Sequence, residues 1–224
     1  MKIAVIAGTP VDTQMGVDYL HQRDAGLETV FLPCASDPRA CHLFQVKSPE
    51  EKTATMRELY RSAIDMGIRY FFVYCNSLSS AVDFDTLSES LGVKTVTPMR
   101  AYEKLALDYN ILGLLAANNQ STKGIEDRFT AVNPSGYVIG IGNLRLTEAV
   151  ERMTPPAEIV RNFRLRSACD FFEASGCEAV VLACTHFPYF KEELSHFTGL
   201  PILDPADIMF EELLANINET SCNL

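Results

Sequence analysis

Two cysteines of this chain are each followed by polar residues at the end of an apolar run. Cys75 closes residues 70–74 (YFFVY) and leads into Asn76 and Ser77; Cys184 closes Ala179–Ala183 and leads into Thr185 and His186. A thiol gives a proton, and its thiolate takes one, so two thiols in matched surroundings suit a reaction that needs two matched acid/base groups. The small polar residues after each cysteine are helix-capping types, which leave backbone N–H groups free to hold a carboxylate. The positive end of a helix also lowers a nearby thiol's pKa, so thiolate is expected near neutral pH. A single cysteine at the end of a buried strand is ordinarily a packing residue. The matched position and polar followers of both favour chemistry, whereas Cys34, Cys41, Cys169, Cys177 and Cys222 read as packing residues.

The elements that must position these thiols look duplicated. An offset of 109 residues carries Cys75 onto Cys184, Ile6 onto Leu115 and Val30 onto Ile139, and three short strand-like runs fall in register at that offset. This is the mark of two copies of one α/β unit. Strand-like runs alternate with helical patterns, the order that builds parallel sheets from βαβ units. Strands are expected at 3–6, 29–32, 70–74 and 93–97 in the first copy. The second copy has them at 111–115, 138–141, 179–183 and 202–203. Helices are expected near 15–25, from Pro49 to about Met66, within 157–174 and near 208–216, with an irregular stretch over 33–48. Ser48-Pro49-Glu50-Glu51 is a strong helix start, with Ser48 as N-cap, Pro49 at the first position and Glu51 at the capping-box position. The expected fold is therefore two pseudo-symmetric, flavodoxin-like parallel-sheet lobes, 1–97 plus 207–224 and 98–206, with the last helix returning to the first. In such sheets functional groups gather beyond the carboxyl ends of the strands, so the site is expected in the cleft between the lobes, enclosing a small anionic molecule between opposed sulfurs.

Composition excludes other classes. A net charge of −10 argues against nucleic acid or an anionic membrane as partner. The apolar start is too short for a secretory signal or a span, and no apolar run of about 18 residues follows, so a cytoplasmic protein is expected. Seven cysteines, an odd number with no Cys-x-x-Cys, fit a reducing compartment, and the four histidines do not cluster with them as a zinc site would require. Arg161, Arg164 and Arg166 read as a solvated helix face. Gly8-Thr9-Pro10 lacks the Gly-x-Gly-x-x-Gly or Walker pattern of a nucleotide loop.

Tyr74-Cys75-Asn76-Ser77 and Ala183-Cys184-Thr185-His186-Phe187-Pro188 resemble the two cysteine motifs of the aspartate/glutamate racemase superfamily, the second in the form typical of glutamate racemases. Val46-Lys47-Ser48-Pro49-Glu50 resembles that family's Lys-Ser-Pro-Glu stretch, and Asp204-Pro205-Ala206-Asp207 stands near an aspartate its members carry before the last helix. The resemblance implies racemisation of an amino acid, most simply glutamate or aspartate, by two-base proton transfer between Cys75 and Cys184, without pyridoxal phosphate or another cofactor. It also implies that Thr9, Asn76, Ser77, Asn118 and Thr185 hold the substrate, that His186 assists Cys184, and that the chain is a homodimer. A capping role for His186 on the helix that follows is the alternative. The chain departs from the family at the first strand's end, where Ala7-Gly8-Thr9 replaces Asp-Ser-Gly and Asp12 is the nearest carboxylate. It departs again at Leu43-Phe44-Gln45-Val46 and at Ala117-Asn118-Asn119-Gln120. The competing readings are a single-cysteine isomerase or decarboxylase of the same fold, and a non-catalytic ligand-binding relative. A cysteine hydrolase is disfavoured because Cys184 and His186 are close in sequence and no orienting acid is evident.

Overall fold

The computed structural model describes residues 1–221; Cys222 lies outside them. The chain divides into two compact units, one running from Ala101 to Pro205 and the other joining Met1–Arg100 to the chain from Ala206 onward. Among the described residues each unit holds one four-stranded sheet. The first contains β1 (Lys2–Ala7), β2 (Glu28–Pro33), β3 (Tyr70–Val73) and β4 (Lys94–Val96) in the order β2-β1-β3-β4. The second contains β5 (Ile111–Ala116), β6 (Tyr137–Gly142), β7 (Ala179–Ala183) and β8 (Ile202–Leu203) in the order β6-β5-β7-β8. All pairings are parallel. The central strands are almost continuously apolar and buried because parallel sheets carry helices on both faces.

Duplication extends to the register. Ile3 lies opposite Thr29 on one side and Tyr70 on the other; 109 residues later Leu112 lies opposite Val138 and Ala179. Helix ends repeat as well. The Pro49–Asp65 and Leu165–Ala174 helices both stop in a Schellman turn, closed by Gly67 at φ +84° and Gly176 at φ +78°. In each turn a six-residue bond, Ile68 N–H to Ala63 O or Cys177 N–H to Phe172 O, satisfies a terminal carbonyl, and glycine alone takes the left-handed backbone without cost.

Three expectations need correction. The first helix spans Pro10–Arg23, starting earlier than expected because Thr9 caps it with Pro10 in its first turn. The stretch expected to be irregular contains a helix, Pro38–Gln45, whose N-cap Asp37 accepts from the N–H groups of Arg39 and Ala40. The single helix expected within 157–174 is two, Pro156–Asn162 and Leu165–Ala174, broken where Arg164 takes φ +55°. That break turns the chain so that Ile159 and Val160 on one helix and Leu165, Cys169 and Phe172 on the other are all buried. The Ser48 capping box, β7 and β8 lie where the sequence puts them, and Arg161, Arg164 and Arg166 are exposed. The final helix, Pro205–Ser221, sends Ala206, Met209 and Leu213 into the first unit's core. Asp207 anchors it there, accepting from the Tyr19 hydroxyl at 3.1 Å and pairing with Arg23.

Candidate active site

In the first unit the strand order reverses between β1 and β3, and the loops leaving those two adjacent strands carry the polar residues. Open parallel sheets bind ligands at this switch point. After β1, Thr9 Oγ1 accepts from Asp12 N–H at 3.2 Å, and buried Asp12 turns Oδ2 back onto the Gly8 N–H at 3.3 Å. After β3, Cys75 is 5% exposed at the N-cap of the short Asn76–Ala81 helix, with Asn76 and Ser77 buried behind it. Ser77 Oγ lies 3.5 Å from the Cys75 sulfur and accepts from Gln45 Nε2 at 2.8 Å. Gln45 Nε2 also donates to the Cys41 sulfur at 3.2 Å, and Cys41 is hydrogen-bonded to Cys75. Gly8 fits here because it has no side chain. A Cβ on it would stand 2.9 Å from the Cys41 sulfur and 3.4 Å from that of Cys75.

This environment reverses the expected direction of the Cys75 pKa. The hydrogen bond to Cys41 holds the proton on Cys75, burial disfavours the thiolate, and the Asp12 and Cys41 charges add to both, so the thiol lies well above its ordinary range. The Ser77 hydroxyl pulls the other way and is outweighed. The N-terminus of the six-residue Asn76–Ala81 helix does not reverse that direction. Cys75 therefore rests as a thiol, a proton donor.

The second unit repeats the arrangement with different chemistry. Loops leave adjacent strands β5 and β7; the first carries Asn118, whose Oδ1 caps the Asn119–Val132 helix through Ser121 N–H at 2.8 Å. The second carries Cys184, Thr185 and His186, all buried. His186 Nδ1 lies 3.6 Å from the Cys184 sulfur, and Nε2 lies 3.0 Å from Glu151 Oε1. A carboxylate on Nε2 holds a proton there and leaves Nδ1 as the acceptor facing the sulfur, so the ring can take the thiol's proton and Glu151 can offset the resulting charge. Thr147 Oγ1 stands 3.8 Å from the same sulfur. Tyr102 and Asp204 are close enough to interact with one another, and the Asp204 and Cys184 charges add to burial in raising the Tyr102 pKa well above its ordinary range.

The sequence-derived residues thus fall into two clusters, Thr9, Cys75, Asn76 and Ser77 in one unit and Asn118, Cys184, Thr185 and His186 in the other. His186 makes no side-chain cap to the 3₁₀ turn Phe187–Phe190 that follows it. The orienting acid that sequence did not reveal is Glu151, 35 residues upstream of His186. Cys41, which reads as a packing cysteine, is in contact with Cys75. Thr147 is not marked by the sequence, and Gln45 enters there only within the departure Leu43-Phe44-Gln45-Val46. Among the described residues no group of His, Cys, Asp and Glu side chains is placed to hold a metal ion, and no helix is long and apolar enough to cross a membrane.

Comparison with known proteins gives the chain a family. The sequence matches the Asp/Glu/Hydantoin racemase family over residues 15–213. The chain belongs to that family. It is 22% identical over 146 residues to a glutamate racemase of Staphylococcus carnosus, the match covering 63% of this chain and 54% of that protein, so the chain spans about half the length of that relative. It is 23% identical over 193 residues to a glutamate racemase of Limosilactobacillus reuteri, covering 81% and 70%. Among solved structures, glutamate racemase from Francisella tularensis in complex with D-glutamate superimposes with a TM-score of 0.76 at 16% identity, covering 98% of this chain and 82% of that one. At that identity the likeness establishes the two-lobed α/β fold of this family member.

Proposed function

We propose that this family member is a cofactor-independent racemase that interconverts the enantiomers of an amino acid, with glutamate and aspartate the first candidates. The observation that carries the reading is the paired thiol. Each unit ends its central strand in a buried cysteine whose second follower, Ser77 or His186, touches the sulfur. In the proposed reaction Cys184 passes its proton to His186 Nδ1, and the thiolate removes the substrate's α-proton. Cys75, held as a thiol, delivers a proton to the opposite face of the same carbon; this leaves Cys75 as thiolate and His186 protonated, the state from which the other direction runs with the roles exchanged, and proton exchange with solvent restores the resting form. General acid and base groups in such roles each contribute about 10²- to 10⁴-fold. Asn76, Ser77 and Thr185 would hold the substrate carboxylate, with Thr9 and Asn118 completing the pocket. Buried donors around that carboxylate stabilise the charge that develops when the α-proton leaves.

The test is proton exchange. The protein is incubated in D2O with each enantiomer of glutamate, aspartate and a panel of other amino acids, following loss of the α-proton by NMR and inversion by chiral chromatography. Deuterium incorporation with inversion, lost in both Cys75→Ser and Cys184→Ser, supports the two-thiol racemase and names its substrate. Turnover that survives one of the two substitutions moves the chain to the single-cysteine isomerases. Tight binding with no exchange makes it a ligand-binding relative.

A further inference from the structure

Two short helices that sequence did not connect occupy equivalent places. Pro38–Gln45 and Leu144–Glu151 are each eight residues long and each start from an Asp or Asn N-cap, Asp37 or Asn143. An offset of 106 residues carries Cys41 onto Thr147 and Gln45 onto Glu151, while the offset of 109 carries Cys75 onto Cys184 and Ser77 onto His186. Within each helix the two residues are four apart and so share a face. In both units the first touches the strand-end sulfur and the second touches the side chain two residues beyond it. Cys41 bonds Cys75 and Gln45 Nε2 reaches Ser77 Oγ at 2.8 Å; Thr147 Oγ1 stands 3.8 Å from Cys184 and Glu151 Oε1 reaches His186 Nε2 at 3.0 Å. Gln45 further ties Cys41 to Ser77, so Cys75, Cys41, Gln45 and Ser77 close a ring of contacts.

The two sets differ in what they can do with a proton. Around Cys184 the couple is His and Glu, which can store one; around Cys75 it is Ser and Gln, which cannot titrate in the working range. We propose that Cys41 and Gln45 are positioning residues for Cys75, in the places Thr147 and Glu151 hold beside Cys184, and that they keep Cys75 as a thiol whose proton goes to substrate rather than to a neighbouring side chain. The claim that the proton goes to substrate rests on the racemase reading; the positioning of Cys75 does not. Burial of Cys41 and Gln45, each 5% exposed, and the two donor bonds from one amide fix this geometry. The other titratable group that acts on Cys75 is Asp12, from the Pro10–Arg23 helix; Cys75 in turn raises the pKa of Cys34, just after β2.

The test reads Cys75 directly. Alkylation by iodoacetamide is followed across pH by mass spectrometry of the Cys75 peptide in the wild type, Cys41→Ala, Cys41→Thr and Gln45→Ala, with thermal melts alongside. A purely structural role changes the plateau rate by altering access, whereas a positioning role moves the midpoint. Expected is a Cys75 midpoint at least one pH unit lower in Cys41→Ala, and at least as low in Cys41→Thr, whose hydroxyl would donate to the thiolate as that of Ser77 does. Unmoved midpoints in folded Cys41→Ala and Gln45→Ala overturn the proposal. A second readout uses substrate: enantiomers have equal free energy, so kcat/KM is the same in both directions in every variant, but α-deuterium isotope effects need not be. Cys41→Ala and Gln45→Ala should change the isotope effect in the direction where Cys75 takes the proton; equal changes in both directions count against the proposal. A wild type that exchanges no α-proton overturns the racemase reading, and the alkylation midpoint still decides the placing of Cys41 and Gln45.

Discussion

Cys184, His186 and Glu151 form a line of contacts within one unit, and in the proposed reaction Glu151 would stabilise the imidazolium that forms when His186 takes the thiol's proton. Replacing that carboxylate by an amide keeps the shape and removes the charge, so Glu151→Gln should lower kcat by about 10²-fold or more with little change in melting temperature. Steady-state rates in both directions will show the loss. At Gly8 the argument is steric. Gly8→Ala places a Cβ 2.9 Å from the Cys41 sulfur, so either Cys41 or the loop shifts, at a cost of about 1–3 kcal/mol, read by urea denaturation. The cysteines and their followers were legible because their residue types announce chemistry. The contacts of Gln45 and Glu151 were not, since neither Pro38–Gln45 nor Leu144–Glu151 reads as a helix and only the fold shows which side chain each faces.

Helices set the second level of precision. Pro38–Gln45 was hidden because Pro33, Ser36, Asp37 and Pro38 are turn formers and because eight residues fall short of the window in which helical periodicity shows. Asp37-Pro38 is nevertheless the N-cap and first-position pair that Ser48-Pro49 also forms, and only the capping-box glutamate made the latter readable. The break at Arg164 carried no signal, because neither Gly nor Pro marks it and the apolar spacing continues through it. Strand glycines offer a contrast that tests packing. A Cβ on Gly113 would enter the Phe172 ring at 2.6 Å, and one on Gly142 would meet the Asn118 and Asn119 backbone at 2.4 and 2.5 Å. The Phe172 side chain can shift about its Cα–Cβ bond, whereas the Asn118–Asn119 backbone is tied at both ends, so Gly142→Ala should be the more damaging of the two by thermal melting. It should also displace the loop that carries Asn118 and, where Asn118 contacts substrate as proposed, weaken substrate binding at comparable occupancy of the folded state.

Stability of the whole chain should form a plateau in pH. Asp37, Glu50, Glu173 and Glu178 titrate below the ordinary carboxylate range, chiefly through backbone N–H bonds except at Glu173, where the Thr198 hydroxyl leads; what they contribute is present above that range and lost as pH falls. The thiols act at the other end. Burial pushes Cys34 up to about 12 and Cys169 up to about 11, so the folded chain keeps protons that the unfolded chain releases above its ordinary thiol pKa near 9. Urea midpoints in a reducing buffer should therefore hold below pH 9 and fall as pH rises through 11 to 12; a Cys34→Ser, Cys169→Ser double variant should fall less steeply. At this scale the sequence was informative, because an offset of 109 residues reappears in strand register and helix ends alike. The units nevertheless differ in how the chain supplies them. One is continuous from Ala101 to Pro205, while the other receives Ala206, Met209 and Leu213 only after the whole of its neighbour has been made. During synthesis from the N-terminus the strands that arrive first are thus the last to be sealed, and for that interval the core around β1 and β3 lacks its final apolar helix, an exposed surface on which a chaperone would act.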